Sequence, residues 1–193
     1  MRTIIKTLQI VFVVVFCTTT FFYYTIQGKA RAEASVPKLP NFEHTNNQQF
    51  LNNVLQCVEY IDHTTTGLYP VNVELLLAQA ALESGWGNSR FARIGKNLYG
   101  IRTYDLKEPH MLPSNNPKKW GVKVYNHECD SVLNYITILY TGGAYKKYRD
   151  LIEGGETNPH ILIETLGAYA SDENYFSKIK SILRKIEKEY KIK

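Results

Sequence analysis

The stretch that decides the fold is "AQAALESGWGNSR", residues 78–90, in which a helical run ends in a glutamate and two glycines. The residues that lead into it, "VNVELLLAQAALES" (71–84), are apolar on nearly every side, which predicts a helix through the middle of a hydrophobic core. Gly85 is a typical helix stop, because glycine readily adopts the left-handed conformation found there. Glu83 is therefore a carboxyl group at the end of a central helix and beside a sharp turn.

The surroundings predicted for Glu83 favour a protonated carboxyl group. Ala80, Gln79 and Leu76 share its helical face, so the side chain projects from a largely apolar stripe. It also lies in the last helical turn, where the helix dipole is negative, and both effects raise the pKa of a carboxyl group. A general acid that protonates a glycosidic oxygen needs this protonated form. The residues alone leave a second interpretation equally open, in which Glu83 binds local backbone amides.

Length and net charge limit the classes of protein to which this chain can belong. The chain has 193 residues, of which 44% are hydrophobic, and this is typical of one packed domain with room for a targeting segment. The net charge of +5 is concentrated at the N-terminus, because four basic residues and one acidic residue lie in the first 34 positions. The rest of the chain has too little basic excess for a nucleic-acid-binding protein.

The N-terminus has the pattern of a membrane or export signal. Two basic residues precede an uncharged stretch, residues 7–27, whose centre is the apolar run "IVFVVVF". It fits an uncleaved membrane anchor, and it also fits a signal peptide, because the small-residue sequences "ARA" and "AEA" follow it within residues 30–34. Both alternatives assign residues 1–34 to the signal and predict a domain outside the cytoplasm, membrane-anchored or secreted.

One domain follows the signal. Residues 35–47 are polar and contain two prolines, which predicts a tether, and residues 48–190 form the domain. Apolar residues recur at helical spacing over roughly 47–62, and the last helix is predicted to begin with Ser171 as its cap and Asp172 in its first turn.

A short β lobe interrupts the helices. The helical period is lost between residues 97 and 126, where "LYGIRTY" (98–104) and "WGVKVY" (120–125) have the aromatic and β-branched character of strands. The predicted fold class is therefore α+β, mostly α, with a small β-hairpin lobe inserted between helices.

Cysteine and histidine patterns predict no metal or cofactor site. Cys57 and Cys129 could pair in an oxidising compartment, but two separate buried thiols are the preferred interpretation. Metal-ligand spacing is not found among four histidines: His63, His110, His127 and His160.

The central helix also carries a resemblance. The run "LLLAQAALESGWGNSRFARIGKNLYGI" (75–101) resembles the signature of the bacterial glucosaminidase family, whose domains include mannosyl-glycoprotein endo-β-N-acetylglucosaminidase-like and flagellar peptidoglycan hydrolase members. Three later blocks resemble the family in the same order: "KVYNHECDSVLNYI" (123–136), "AYKKYRDLI" (144–152) and "YASDENYFSKIKSIL" (169–183). The resemblance covers roughly residues 48–188.

This resemblance implies a lysozyme-like fold and hydrolysis of β-1,4 bonds after N-acetylglucosamine in peptidoglycan, with Glu83 as the catalytic acid. Some members are expected to use a second carboxylate in the β lobe, and here Glu108 is preferred over the other nearby acids, Asp105, Glu128 and Asp130. A mechanism in which the substrate's acetamido group attacks, and Glu83 acts alone, stays open.

Two tyrosines match the family's "YATDxxY" block. The resemblance implies that the hydroxyl of Tyr169 or of Tyr175 lies in the cleft and orients water or the acetamido group. Tyr175 also fits the apolar stripe of the last helix, which gives it a structural alternative.

Four further residues are candidates for substrate binding. Trp86 is either a platform for a sugar ring or part of the core. Asn97, Tyr99 and Arg102 are expected to line the groove, although "NLYG" (97–100) also fits a structural turn.

The expected partners are peptidoglycan, or another glycan that contains N-acetylglucosamine, and the membrane through the N-terminal segment. Two other functions stay open: a non-catalytic domain that binds the cell wall, and a lytic transglycosylase, in which one glutamate suffices.

Overall fold

The computed structural model describes residues 37–65, 69–114, 119–169 and 172–190. The predicted signal, residues 1–34, lies outside these ranges. Within them, every helix is too short or too polar to cross a lipid bilayer.

The described residues form seven α-helices, two 3-10 helices and three short strands. In chain order these are α1 (Asn47–Thr65), α2 (Val73–Ser84), α3 (Arg90–Arg93), β1 (Arg102–Thr103), β2 (His110–Met111), β3 (Gly121–Lys123), α4 (Glu128–Thr141), a 3-10 turn (Gly143–Tyr145), α5 (Lys146–Glu153), α6 (Pro159–Leu162), a second 3-10 turn (Ile163–Thr165) and α7 (Tyr175–Glu189). The predicted fold class, mostly α with a small β lobe between helices, is confirmed.

Helix α2 occupies the centre of the core, as its sequence predicts. Every residue from Leu75 to Ala81 is buried, and α1 and α7 pack against it. The helix begins where the side chain of Asn72 accepts a hydrogen bond from the backbone N–H of Leu75, at 2.8 Å. A helix with apolar residues all round can be stable only when other elements cover every face.

The chain turns sharply where α2 ends. Gly85, Trp86 and Gly87 all have positive φ angles, of 58°, 58° and 78°. A Cβ atom on Gly87 would lie 2.6 Å from the ring of His44, so glycine is required there for space as well as for conformation. This left-handed turn separates Glu83 from the α3 segment that follows.

The β lobe is a three-stranded antiparallel sheet in the order β1-β3-β2. Its register pairs Arg102 with Val122 and His110 with Lys123. Strands β1 and β3 lie within the two stretches predicted as strands, but β2 was not predicted. It has only two residues in a polar segment, and such a strand has no alternating pattern to recognise.

Helix α7 begins three residues later than the sequence pattern indicates. Asp172 lies before the helix, where its carboxylate accepts a hydrogen bond from the backbone N–H of Asn174 at 2.9 Å. This local turn takes the place of the predicted first helical turn, because aspartate competes for backbone N–H groups in non-helical conformations.

A disulfide joins α1 to α4. Cys57 and Cys129 are both buried, with an S–S distance of 1.98 Å and a Cα–Cα distance of 5.0 Å. The prediction of two separate thiols is wrong, because the packing of α1 against α4 brings the two side chains within bonding distance.

The described part of the predicted tether lies against the domain. The ring of His127 contacts the carbonyl oxygen of Pro40 at 3.0 Å, and the side-chain amide of Asn53 donates to the carbonyl of Glu43 at 2.9 Å. His44 contacts the carbonyl of Trp86 at 3.1 Å. Residues 40–44 are therefore held at three points.

We expect loss of the disulfide to lower the free energy of unfolding by about 2–4 kcal/mol, because the bond joins positions 72 residues apart and restricts the unfolded chain. The test is chemical denaturation of the wild type and of the double variant Cys57→Ala/Cys129→Ala. A thiol titration in denaturant without reductant supplies the control: the chain has three cysteines, and three reactive thiols there would contradict the disulfide.

Candidate active site

Glu83 lies in the last turn of α2 and lines an open cleft with a volume of about 560 Å³. The walls come from the loop that leads into β1, from α4 and the 3-10 turn after it, and from the segment before α7. The other lining residues are Tyr99, Gly100, Ile101, Arg102, Tyr104, Ile138, Tyr145, Ala168, Tyr169 and Asp172. The last turn of α2 thus places the carboxyl group of Glu83 where the β lobe meets the helices.

Burial and one hydrogen bond set the charge of Glu83. The side chain is half-buried, and loss of hydration raises the pKa of its carboxyl group, while a hydrogen bond from Tyr175 lowers it and has the smaller effect. Gly100, with a φ angle of 64°, faces the carboxyl group: a Cβ atom there would lie 3.7 Å from Oε2. A Cβ atom at that distance would make an ordinary contact, so it is the positive φ angle, not lack of space, that favours glycine here.

A chain of hydrogen bonds connects buried residues of the core to Tyr175, which is next to Glu83. Tyr175, the first residue of α7, is buried, and its hydroxyl accepts a hydrogen bond from the side-chain amide of Gln79 at 2.9 Å. The amide oxygen of Gln79 accepts a hydrogen bond from Tyr135. Sequence reasoning placed Gln79 on the face of Glu83 but gave it no role, and it did not identify Tyr135. The signal available for Gln79 was a polar side chain inside an otherwise apolar helix.

Tyrosine rings pack beside this chain of hydrogen bonds and form part of the cleft wall. Tyr99 is buried and stacks on Tyr135, with ring centroids 4.1 Å apart and an angle of 2° between the planes. Tyr169 is half-buried, contacts Tyr135 edge-on at 5.4 Å, and donates a hydrogen bond to the carbonyl of Tyr99. Burial, followed by the charge of Glu83, raises the pKa of the Tyr169 hydroxyl, which therefore stays protonated. The structure thus brings Tyr99, Tyr169 and Tyr175 close to Glu83.

Two of the predicted binding residues lie away from the cleft. Trp86 packs between Phe50 and Tyr190, at centroid distances of 6.3 and 5.7 Å. Asn97 is buried, and its amide donates to the carbonyls of Ile101 and Lys123, both at 2.9 Å. These contacts correspond to the two structural alternatives that the sequence offers: core packing for Trp86 and a turn at Asn97.

Arg102 and Glu108, both predicted from the β lobe, differ in position. Arg102 is exposed and lines the cleft, with its guanidinium group 4.0 Å from the centroid of the Trp120 ring. Glu108 does not line the cleft: its carboxylate accepts a hydrogen bond from Thr103 at 3.1 Å and pairs with Lys123 at 3.4 Å. The described structure does not bring Glu108 together with Glu83.

Asp172 is a carboxylate of the cleft that sequence reasoning did not select. A hydrogen bond from Lys178, at 2.5 Å, is the main cause that lowers the pKa of Asp172, so this residue is ionised near neutral pH. Among the described residues, Glu83 and Asp172 are the acids that line the cleft. The signal for Asp172 is its place in the "YASDENY" block (169–175), but there the sequence pattern predicts a residue at the start of the last helix.

One group of side chains has the composition of a metal site. In the described ranges, Cys57, His127 and Cys129 are the one set of three such ligands, with donor atoms within 4.8 Å of one another. The sulfur atoms form the disulfide, and the two ring nitrogens of His127 contact the N–H of Cys129 and the carbonyl of Pro40. The donor atoms of this group are therefore already in use.

The raised pKa of Glu83 predicts a pH-dependent effect on stability. A carboxyl group whose folded-state pKa lies above its unfolded value contributes stability that is full below the unfolded pKa and is lost as pH rises through the folded pKa. Glu83→Gln has no charge to bury, so its midpoint of thermal unfolding, relative to the wild type, should rise between about pH 4 and pH 8. Glu59→Gln, on the exposed face of α1, is the control. A constant difference across this range would contradict the prediction.

Comparison with known proteins supplies the family. The sequence profile of the glucosaminidase family, described as mannosyl-glycoprotein endo-beta-N-acetylglucosaminidase, matches residues 64–188, more than half of the chain. The exo-glucosaminidase LytG of Bacillus subtilis (strain 168) is 27% identical over 129 residues, covering 62% of this chain and 45% of LytG. The chain spans less than half of the length of the curated relatives that it matches.

Solved structures share the fold. The catalytic domain of the autolysin Auto (Lmo1076) from Listeria monocytogenes has a TM-score of 0.56 at 23% identity, covering 83% of this chain and 93% of that domain. The peptidoglycan hydrolase from Sphingomonas sp. A1 has a TM-score of 0.55 at 22% identity, covering 70% of this chain and 86% of that one. The lysozyme-like fold expected from the resemblance is confirmed, and the match over residues 64–188 shows that this chain belongs to the glucosaminidase family.

Proposed function

We propose that this protein hydrolyses the β-1,4 bonds that follow N-acetylglucosamine in peptidoglycan, with Glu83 as the general acid. The observation that carries this proposal is the position of Glu83: a half-buried carboxyl group with a raised pKa, facing an open cleft in a glucosaminidase domain. Relatives named as an exo-glucosaminidase, an autolysin and a peptidoglycan hydrolase support the class of substrate.

The chemistry begins with proton transfer. The protonated carboxyl group of Glu83 donates its proton to the glycosidic oxygen as the bond from that oxygen to C1 breaks, and the leaving sugar departs as an alcohol. The Tyr175 hydroxyl then stabilises the carboxylate that is left, because a hydrogen bond to a charged acceptor is stronger than one to a neutral acceptor. The half-buried position raises the pKa of Glu83, which favours the protonated form that a general acid needs.

The second group is the substrate's own acetamido oxygen, which attacks C1 as the leaving group departs. Water then opens the resulting ring, and Glu83 takes a proton from that water. This assignment is supported by the shortage of carboxylates: among the described residues, the other acid that lines the cleft is Asp172, which pairs with Lys178.

The site of action is outside the cytoplasm, with residues 1–34 as the anchor or the signal peptide. The buried disulfide supports this location, because disulfides persist in oxidising compartments. A cell-wall substrate also lies outside the cytoplasm.

We expect Glu83→Gln to keep the fold and to lower the release of reducing ends from peptidoglycan by about 100-fold or more, since general acid catalysis contributes about 10²–10⁴. The measurement combines thermal unfolding, a zymogram on purified cell wall and mass spectrometry of the products. Undiminished activity in Glu83→Gln would contradict the assignment.

The products separate the alternatives. Reducing-end N-acetylglucosamine supports the proposal, and an anhydro sugar would assign a lytic transglycosylase. A wild-type protein that binds the wall and leaves no cleared band would be a non-catalytic binding domain.

A paired substitution tests for a second carboxylate. Glu108→Gln and Asp172→Asn each remove one negative charge with little change in volume, and we expect both to keep kcat within roughly tenfold of the wild type, because neither acts on the sugar directly. The matched measurement is kcat on soluble glycan fragments. A fall of about 100-fold or more in Glu108→Gln would restore Glu108 as the catalytic carboxylate predicted from the family, and the same fall in Asp172→Asn would assign that role to Asp172.

A further inference from the structure

Three buried side chains lie in line behind Glu83. Gln79 is one helical turn before it on α2, Tyr175 begins α7, and Tyr135 comes from α4. Gln79 and Tyr135 are fully buried, and Tyr175 is 4% exposed. Neither Gln79 nor Tyr135 lines the cleft, so neither touches a substrate held there.

With the Gln79 amide oriented as it is in the structure, chemistry fixes the direction of each hydrogen bond in this chain. The amide oxygen of Gln79 can only accept, so the hydroxyl of Tyr135 must donate to it. The amide nitrogen then faces Tyr175 and can only donate, at 2.9 Å, so the Tyr175 oxygen accepts. The hydroxyl proton of Tyr175 is then left to point at the carboxyl group of Glu83, whose pKa is lowered by hydrogen bonding from Tyr175.

The opposite orientation of the amide would remove that donor. A flipped Gln79 would present its oxygen to Tyr175, and this oxygen would compete with Glu83 for the Tyr175 proton. The flip would also leave the Tyr135 hydroxyl without its acceptor. Because the Tyr135 ring is fully buried between the face of Tyr99 and the edge of Tyr169, water cannot replace that acceptor without disrupting the stack. Tyr135 therefore selects the orientation of Gln79.

We propose that Tyr135 and Gln79 are positioning residues for the general acid: together they hold the hydroxyl of Tyr175 in the orientation that donates to Glu83. This inference rests on the proposed function for the role of Glu83. It goes beyond the proposed function by assigning control of the acid to two residues that do not line the cleft.

Other charged and titratable groups also surround Glu83. Arg102 from β1, Tyr145 from the 3-10 turn, and Tyr169 and Asp172 from the segment before α7 line the same cleft. Burial and the Tyr175 hydrogen bond are nevertheless the two causes that shift the pKa of Glu83. Changes at Tyr135 and Gln79 should therefore reach Glu83 through Tyr175.

The expected sign follows from the hydrogen bond. Donation from Tyr175 stabilises the carboxylate and lowers the pKa of Glu83, so weakening it raises the pKa further. The alkaline limb of the pH–rate profile, which reports deprotonation of the acid, should move to higher pH. At the same time kcat should fall, because the carboxylate that forms during proton transfer is less stabilised.

The test compares the wild-type full chain with Tyr135→Phe and Gln79→Met. The carboxyl carbon of Glu83, identified by its loss in Glu83→Gln, is titrated by NMR, and pH–rate profiles are recorded on the same samples. We expect both variants to raise the pKa of Glu83 by about 0.5–1 unit and to lower kcat by roughly three- to tenfold. The double variant should titrate like Gln79→Met alone, because both residues act through one contact.

Tyr148→Phe is the matched control. Tyr148 is as buried as Tyr135, and its hydroxyl contacts the backbone N–H of Asn72 at 3.4 Å, away from the cleft. It should lose comparable stability and leave the titration of Glu83 unchanged. Tyr175→Phe removes the donor itself and should give a shift at least as large as that of Tyr135→Phe.

The outcomes separate this inference from the proposed function. If Tyr135→Phe and Gln79→Met fold but titrate as the wild type does, the positioning role is overturned, whatever the activity of Glu83→Gln. If Glu83→Gln stays active while the carbon titration shifts as expected, the proposed function fails and the hydrogen-bond line stands. Equal shifts in Tyr148→Phe would also overturn the inference, because they would reveal a general effect of packing.

Discussion

The burial of α2 on all its faces is the constraint on which the rest of the structure depends. A helix whose leucines and alanines point in every direction gains about 1.5–3 kcal/mol for each large side chain that leaves water, and it gains this only when other helices surround it. Helices α1 and α7 pack against it for this reason. The same packing brings the first residue of α7 to the last turn of α2, where Glu83 meets Tyr175.

Polar atoms inside this helix are tolerated because they are paired. A buried amide without partners would destabilise the fold, so Gln79 needs both tyrosine hydroxyls. Glu83 is less well compensated, because the hydrogen bond from Tyr175 lowers its pKa by less than burial raises it. The incomplete pairing of Glu83 has two consequences. It lowers the free energy of unfolding as the pH rises, and it favours the protonated form that a proton donor needs.

The features that the sequence predicts correctly are those that residues close together in the chain determine. The buried helix, its stop at Gly85 and the exceptional position of Glu83 all follow from periodicity and from glycine. The disulfide and the presence of Asp172 in the cleft depend on contacts between residues far apart in the chain, and local sequence patterns do not contain that information. Strand β2 was missed because two residues in a polar segment are too few for a pattern.

The disulfide also divides the chain topologically. Residues 57–129 form a covalent ring that contains α2, α3 and the whole β lobe, including Glu83 and Arg102. Tyr135 and Tyr175, from α4 and α7, lie outside the ring. A protease that cuts the β lobe once would open the ring without releasing a fragment, because Cys57 and Cys129 would still hold the two pieces together. The β lobe can therefore be cut once while Glu83, Tyr135 and Tyr175 stay on one covalently linked molecule.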